Sequence, residues 1–525
     1  MSQASDEAGF KKRLGLFDCA MFIAGTMIGS GIFIVSSEMA RDVGTSGWLL
    51  VVWIVSGVMT ILGALSYAEL AAMMPHAGGQ YVFLRESYSP LFGFLYGWTS
   101  FTVIQTGTIA AVAVAFAKFL GVLVPKLGTG AGAMVLYHAE GFHWVLTLPL
   151  PWLAEPLTVF DRTEFTITTG HLIAVVLILG LTFWNTMGVE QGKWLQNIFT
   201  VAKIGALVVL ILVGVVVTFN SDIVSRNFAD LWGGMSGTKQ FAEVSKSIHG
   251  GAVGQAGGGS TASLIAWMVV GGALVGALFS SDAWNNVTFS AAEVRNPRRN
   301  LPLSLLIGTG MVTVLYLLAN GAYLVSLPLN GVKDGAGVLD RGIAHASDDR
   351  VATAMMELAW PGTGHYLMAA AIMVSTFGCI NGLILMGARL YYAMARDSLF
   401  FGAVGNLNRN GVPSSGLWFQ GIWACLLVFS GTYGDLLDYV IFAALLFYAM
   451  TVTGLFILRY RRPTMERPYR AIGYPVLPAL YVVLCTVVML DLLVVKPKFT
   501  WPGLILVLAG IPVYFLWKGL RSAKS

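Results

Sequence analysis

Two stretches of this 525-residue sequence set polar or conformationally free residues among apolar neighbours. The first, MFIAGTMIGSGIFIV, carries Gly25, Gly29, Ser30 and Gly31 in the middle of an apolar run. The second, LFSSDAWNNVTF, crowds Ser280, Ser281, Asp282, Asn285 and Asn286 together. Glycine costs about 1 kcal/mol relative to alanine inside a helix, so the adjacent Gly29, Ser30 and Gly31 predict a helix that unwinds. Within hydrocarbon, the backbone groups freed by a break must find other partners. The half-helix beyond a break points N–H groups and a positive dipole end at an anion. Carbonyls at the opposing end accept from a cation. A site offering both is shaped for a zwitterion, with a carboxylate at Gly29, Ser30 and Gly31 and an ammonium near the carbonyls of Ile28 and Phe279. Two plainer readings stay open. Gly25 and Gly29 also fit a small-xxx-small packing face, and Asp282 also fits a buried acid that only holds neighbouring helices. An aspartate at the bilayer centre costs about 2.5–3.5 kcal/mol on insertion scales, so it faces a cavity or a partner.

The rest of the chain must position these stretches, and its composition says in what solvent. It is 56% hydrophobic and 11% charged, against roughly 45–50% and about 25% in soluble domains. With a mean hydropathy of +0.73, it lacks the polar surface to solvate a globule of this length. That predicts a polytopic all-α membrane protein and excludes nucleic-acid binding, extended disorder and a soluble enzyme core. A crossing takes about 20 largely apolar residues. Such runs fall near 14–36, 47–73, 91–123, 168–187, 195–219 and 264–289, then near 302–327, 361–395, 414–432, 436–459, 475–495 and 500–518, twelve in all. Long apolar runs rather than short alternating strands exclude a bacterial-type barrel. With both termini cytoplasmic, the short inner loops hold the larger share of Lys and Arg, among them Arg13, Arg298, Arg299, Arg396, Arg461 and Arg462, as the positive-inside rule requires. The opening MSQASDEAGFKKRLGLFD shows no small-residue cleavage site, so the first run reads as a retained helix.

Other residue types offer less chemistry. Cys19, Cys379, Cys425 and Cys485 each fall in an apolar run without ligand spacing, which argues against a disulfide framework or a zinc site. The Gly-rich HGGAVGQAGGGS, within the connection 220–263, has no GK[ST] after it and reads as a linker rather than a phosphate loop. His138 and His143 share the connection 124–167 and read as solvated side chains. No HExxH sequence, Walker A sequence or nucleophile–base pair occurs, so neither an enzyme nor a bound metal or cofactor is expected.

Spans one and six open two five-helix sets, 14–219 and 264–460, on either side of the outer loop 220–263. A tail at 1–13 precedes them, and 461–525 adds two further spans and a short tail. Discontinuous helices at corresponding places in the two halves of a chain point to a transporter's binding site.

At these residues the sequence resembles the APC superfamily of amino-acid permeases. It is most similar to the LAT-type exchangers, the light chains of heteromeric transporters, and to bacterial serine/threonine and alanine/serine/cysteine exchangers. The likeness runs from about Leu14 to Trp517 through GTMIGSGIF, SYAELAAMMPHAGGQYVFL, FLYGWTSF, EVRNPRRNLP, STFGCINGLIL, RLYYAMARD and RPYRAIGYPVLPALYV in family order. The resemblance implies a LeuT-type fold, a 5+5 inverted repeat plus two helices, with helices one and six unwound around the substrate. By match, Gly29, Ser30 and Gly31 would bind the carboxylate, and the Ile28 and Phe279 carbonyls the amino group. Phe279 would be the outer gate. Trp284 and Asn285 match the family's Trp-Asn pair beside the site, and Asn381 a polar residue of helix eight. Lys203 corresponds to a lysine that stands where sodium-driven relatives hold their ion, which implies sodium independence. Read without the family, Lys203 would snorkel to the cytoplasmic end.

Two departures qualify the carry-over. Asp282, with Ser280 and Ser281, is an added negative charge, which suits a cationic amino acid, an amine or a proton. No cysteine lies between spans three and four, so a disulfide-linked heavy chain is not expected. The reading is therefore an amino-acid exchanger working by alternating access in the cell membrane. An amine or polyamine carrier anchored by Asp282, or a sensor that binds without transporting, is the alternative.

Overall fold

The computed structural model describes residues 10–130, 132–139, 144–148, 157–162, 165–248, 259–430 and 433–522. The first apolar run is two helices, α1 (Leu16–Met27) and α2 (Gly31–Val43), bent by 40°. At Ile28 the backbone turns extended, with φ −76° and ψ 90°. Four long helices follow, with a short one, Gln80–Ser87, after the first: α3 (Ser46–Met73), α4 (Pro90–Leu123), α5 (Thr169–Thr186) and α6 (Val189–Val216). In α4 a π-helical turn, Ser100–Ile104, interrupts the α-helical hydrogen bonding. Next, α7 (Gly259–Ser280) stops at the Ser-Ser-Asp segment. Ala283 takes a left-handed φ of 64°, and a tight 3₁₀ helix runs over Trp284–Glu293. The chain continues with α8 (Pro297–Ser326), α9 (Gly364–Arg396), α10 (Ser414–Val428), α11 (Tyr433–Arg461), α12 (Val476–Val495) and α13 (Pro497–Ser522). Proline at the first position of α8 has no N–H, which removes one of the donors that a helix start leaves without an intrahelical partner.

Among the described residues, 10 helices are long and apolar enough to cross a membrane, or 11 with the bent pair counted as one span. The run expected at 414–432 gives only 15 residues of helix. It ends early because Phe429 and Ser430 turn back onto the carbonyls of Leu426 and Leu427. The outward side of α6 from Trp194 onward, with Val201, Val208, Val209, Leu212 and Val216 exposed, is apolar. Such a surface suits lipid, not water. The chain is a multi-pass membrane protein.

The connections hold more structure than their sequences suggest. In 124–167, read as a plain loop in an all-α protein, there are four short strands. β1 (Val135–Ala139) pairs antiparallel with β4 (Phe165–Thr168), and β2 (Trp144–Leu148) with β3 (Leu157–Arg162). Their β-branched and aromatic content suits strands. His138 meets Thr166 at 2.8 Å, whereas His143 lies outside the described residues. The connection 220–263 carries helices Ser221–Ala229 and Lys239–Ile248. Most of its Gly-rich stretch, 249–258, also lies outside the described residues.

Packing centres on the two interrupted segments. α1 touches α8, α6, α9 and the 3₁₀ helix, and α7 lies along α2. Around them α8 backs onto α3, and α9 onto α4 and α6. The four cysteines are buried and unpaired with one another.

Candidate functional site

The two breaks abut. A Cβ added to Gly31, the first residue of α2, would overlap the Oγ of Ser280, the last residue of α7, and lie 3.0 Å from its Cα. Only glycine allows so close an approach. Tyr316, on α8, places its hydroxyl 3.0 Å from the Met27 carbonyl oxygen and 2.9 Å from that of Ser280. One phenol thus serves the last carbonyls of both α1 and α7. Thr26 donates to the Ala283 carbonyl at 3.1 Å and adds a second tie between the breaks.

The carbonyls freed at the end of α1 are taken up by neighbouring helices, as a break in a dry interior demands. Lys203, fully buried on α6, donates from Nζ to Gly25 O at 2.8 Å and Ile28 O at 2.9 Å. Ser375, on α9, reaches Ile28 O at 3.2 Å and Gly29 O at 3.0 Å. Cys379 donates to Thr26 O at 3.1 Å. The ammonium of Lys203 therefore turns inward to α1 and does not snorkel. The Ile28 carbonyl, expected to receive a ligand's amino group, already accepts from Lys203 and Ser375. The Phe279 carbonyl accepts from Asp282 N at 3.1 Å.

Beside the second break lies a small polar cavity lined by Asp282, Ala283, Asn285 and Asn286, with Gln80, Gln105, Tyr96, Leu383 and Tyr448 opposite. These side chains close on one another and leave room for little more than one water. Tyr448, on α11, donates to Asp282 Oδ1 at 2.5 Å and lies 3.2 Å from Asn285 Oδ1. Asn285 donates to Gln80 Oε1 at 2.7 Å, and Gln80 to Thr451 Oγ1 at 3.1 Å. Asn286 donates to Gln105 Oε1 at 3.3 Å. An acid, a phenol and two amides thus form one network, with the amide pair Asn286 and Gln105 beside it, able to bind donors and acceptors of a small polar solute.

Of the residues expected at the site, Asp282 and Asn285 line this cavity, whereas Ile28, Gly29, Ser30, Gly31, Phe279, Trp284 and Asn381 do not. Trp284 packs edge-on against Tyr67, with ring centroids 4.8 Å apart, and near Tyr448 at 5.4 Å. Phe279 is buried. Ser280 bonds back to Gly276 O at 2.8 Å, and Ser281 lies 3.4 Å from Ser56. Asn381 belongs to a different cluster: it bonds Gln196 and Gly192 O of α6 at 3.1 and 3.2 Å and Asn185 of α5 at 3.0 Å. These bonds join α9 to α5 and α6. Sequence reading missed Tyr448, Tyr316 and Ser375, which carry no local signal in their apolar helices. Gln80 and Gln105 did offer one, as amides within otherwise apolar stretches.

Below the cavity, on the face bearing the N-terminal tail, the chain is fastened. Arg389 of α9 meets Glu293, at the end of the 3₁₀ helix, at 2.8 Å, with both side chains almost fully buried. The N–H groups of Arg13 and Leu14 bond the Glu293 carbonyl, and Gly78 N bonds Phe289 O at 2.9 Å. Tyr81 donates to Asp397 at 2.7 Å.

Apolar helices gathered about two abutting breaks and a polar cavity are the architecture of a solute carrier. The family model described as amino acid permease matches residues 14–516, and the chain belongs to that family. It is a permease, not an enzyme. It is 27% identical over 520 residues to the human b(0,+)-type amino acid transporter 1, covering 98% of this chain and 90% of that one. To the human large neutral amino acids transporter small subunit 2 it is 27% identical over 524 residues, covering 98% and 83%. The rabbit b(0,+)-type amino acid transporter 1 is 28% identical over 471 residues, 89% of this chain and 80% of that one.

Proposed function

We propose that the chain is a sodium-independent exchanger of L-amino acids, built as a 5+5 inverted repeat and working by alternating access in the cell membrane, with both termini cytoplasmic. The observation that carries this reading is the contact of Gly31 with Ser280, which brings a half-helix N-terminus and a half-helix C-terminus to one place. The start of α2 offers N–H groups to a carboxylate. The end of α7 and the Asp282 network beside it offer acceptors to an amino group. Relatives named as amino acid transporters over nearly the whole chain support the same substrate class. Lys203 supports sodium independence, because its ammonium already occupies the carbonyls at the end of α1.

In this mechanism the contracted cavity beside Asp282 must open to admit substrate. The bound amino acid then draws α2 and α7 together beneath Phe279, the outer gate. The inner fastening at Gly78, Gly79, Glu293 and Arg389 releases next. A ligand drives such a cycle only through different affinities for its states. The absence of a cysteine between α4 and α5 supports operation without a disulfide-linked heavy chain. One observation favours a second reading: Asp282, bonded to Tyr448, is an anion that suits the charged end of a cationic amino acid or amine.

The test is counterflow in sodium-free proteoliposomes holding the purified protein. Exchange requires that an unlabelled internal L-amino acid speeds uptake of a labelled external one. Binding without any accumulation, with internal substrate or an ion gradient, would mark a sensor instead.

A further inference from the structure

Near the end of α12 a carboxyl group is buried without a partner among the described residues. Both oxygens of Asp491 are shielded from solvent, and among the described residues neither has a hydrogen-bond partner. The group is pressed onto the backbone of α7. A Cβ on Gly271 would overlap Asp491 Oδ2 and lie 2.7 Å from its Cγ, and a Cβ on Gly272 would lie 3.0 Å from Val495. Glycine at 271 is what makes room for the carboxyl.

The elements packed on α12 are α11, α7, α3 and α13. α7 has no titratable residue. In α3 the only acid, Glu69, is held by Arg459 and Arg467 and by Ala471 N, at the opposite end of α12. α11 carries Asp435 and Asp438 in its first turns, whose side chains lie outside the described residues, and Arg459 and Arg461 in its last. α13 carries Lys498, Lys518 and Arg521. The nearest charged pair along the chain is Lys496 with Glu38 of α2, at 3.9 Å. Among the described residues, none of these groups bonds Asp491.

A carboxylate without a counter-charge is costly in hydrocarbon, whereas the neutral acid avoids most of that cost. Asp491 is within about 6 Å of the helix end at Val495, at 1.5 Å per residue, which keeps it within reach of protons from that face. We propose that Asp491 is a proton-binding site: the protonated acid packs on Gly271, and loss of the proton parts α12 from α7. Because α7 ends at Ser280, where it meets Gly31, the parting displaces one wall of the paired breaks. Packing holds the proton, so the contact is complete at low pH and weakens as pH rises. The effect on transport rests on the exchanger reading above, whereas the proton site itself does not.

The experiment measures the thermal unfolding midpoint of the intact protein in lipid nanodiscs from about pH 5 to about pH 8.5, with exchange KM followed over the same range. For the wild type the midpoint falls as pH rises and KM changes about threefold or more. Asp491→Asn, which keeps the shape of the neutral acid, is expected to hold the low-pH values throughout. Gly271→Ala, which fills the space taken by the carboxyl, is expected to flatten both profiles as well. Infrared difference spectra should show a protonated-carboxyl band lost in Asp491→Asn. Midpoint profiles unchanged in both variants, or an infrared band that survives Asp491→Asn, would overturn the proposal. A midpoint response removed by Asp491→Asn in a protein that exchanges nothing would keep the proton site and reject the exchanger.

Discussion

The ammonium of Lys203 lies 2.9 Å from the carbonyl oxygen of Ile28, the residue at which α1 gives way to extended chain. With Gly25 O at 2.8 Å, this one side chain takes up two of the backbone acceptors at the break. It holds α6 to α1, while Ser375 and Cys379 tie α9 to the same segment.

Lys203→Ala removes the cation and takes from Gly25 O its side-chain donor, at about 1–3 kcal/mol for a buried group, while Ile28 O keeps only Ser375. Exchange is expected to fall at least about tenfold, the equivalent of about 1.4 kcal/mol, and sodium is expected not to restore it. Uptake with and without sodium checks both points. Full activity would return Lys203 to a packing role.

Tyr316→Phe removes the hydroxyl shared by Met27 O and Ser280 O. A loss of about 1–3 kcal/mol in stability is expected, chiefly from the Ser280 carbonyl, because Met27 O keeps its bond from Gly29 N. It should appear as a lowered thermal midpoint in detergent, without a change in which solutes compete for exchange.

Gly31→Ala places a methyl on Ser280, and exchange is expected to fall at least about tenfold as the breaks are pushed apart. Adding Ser280→Gly removes the colliding Oγ and Cβ but leaves the Cα at 3.0 Å. The double variant should therefore recover part of the rate. Equal rates for Gly31→Ala and wild type would deny that close approach matters.

Tyr448→Phe and Asp282→Asn act on one hydrogen bond, at 2.5 Å. Charge-assisted bonds of this kind contribute about 1.5–3 kcal/mol, so either change should lower exchange at least about tenfold. Their effects should fall well short of additive in a double-variant cycle. Asp282→Asn should also weaken competition by cationic amino acids more than by neutral ones. Additive losses with an unchanged solute preference would reduce Asp282 to scaffolding.

How much of this is legible in the sequence differs from residue to residue. The breaks are, because Gly29, Ser30 and Gly31, and Ser280 to Asp282, violate the rules of a buried helix, and local violations mark functional places. Lys203 is visible as a lone cation inside a span, but its inward direction follows from the resemblance and from packing, not from its neighbours. Tyr448 and Tyr316 are invisible, since a tyrosine in an apolar helix is ordinary until its partner is known. Tyr448 is 166 positions from Asp282. Asn381 shows the opposite failure: its polarity is plain, yet its bonds run to α5 and α6 rather than to the cavity. The strands of 124–167 escape notice because the long spans around them set the scale of reading.

The claim on which the account turns is that a substrate's carboxylate sits at the start of α2. The most direct test takes the amino acid that exchanges best in proteoliposomes and compares it with its own decarboxylated amine and its methyl ester as competitors. The account predicts that the amino acid competes and that both carboxylate-free analogues fail at concentrations about a hundredfold higher, a gap of about 2.7 kcal/mol. Competition by the amine equal to that of the parent amino acid would contradict it and leave Asp282 as the principal anchor.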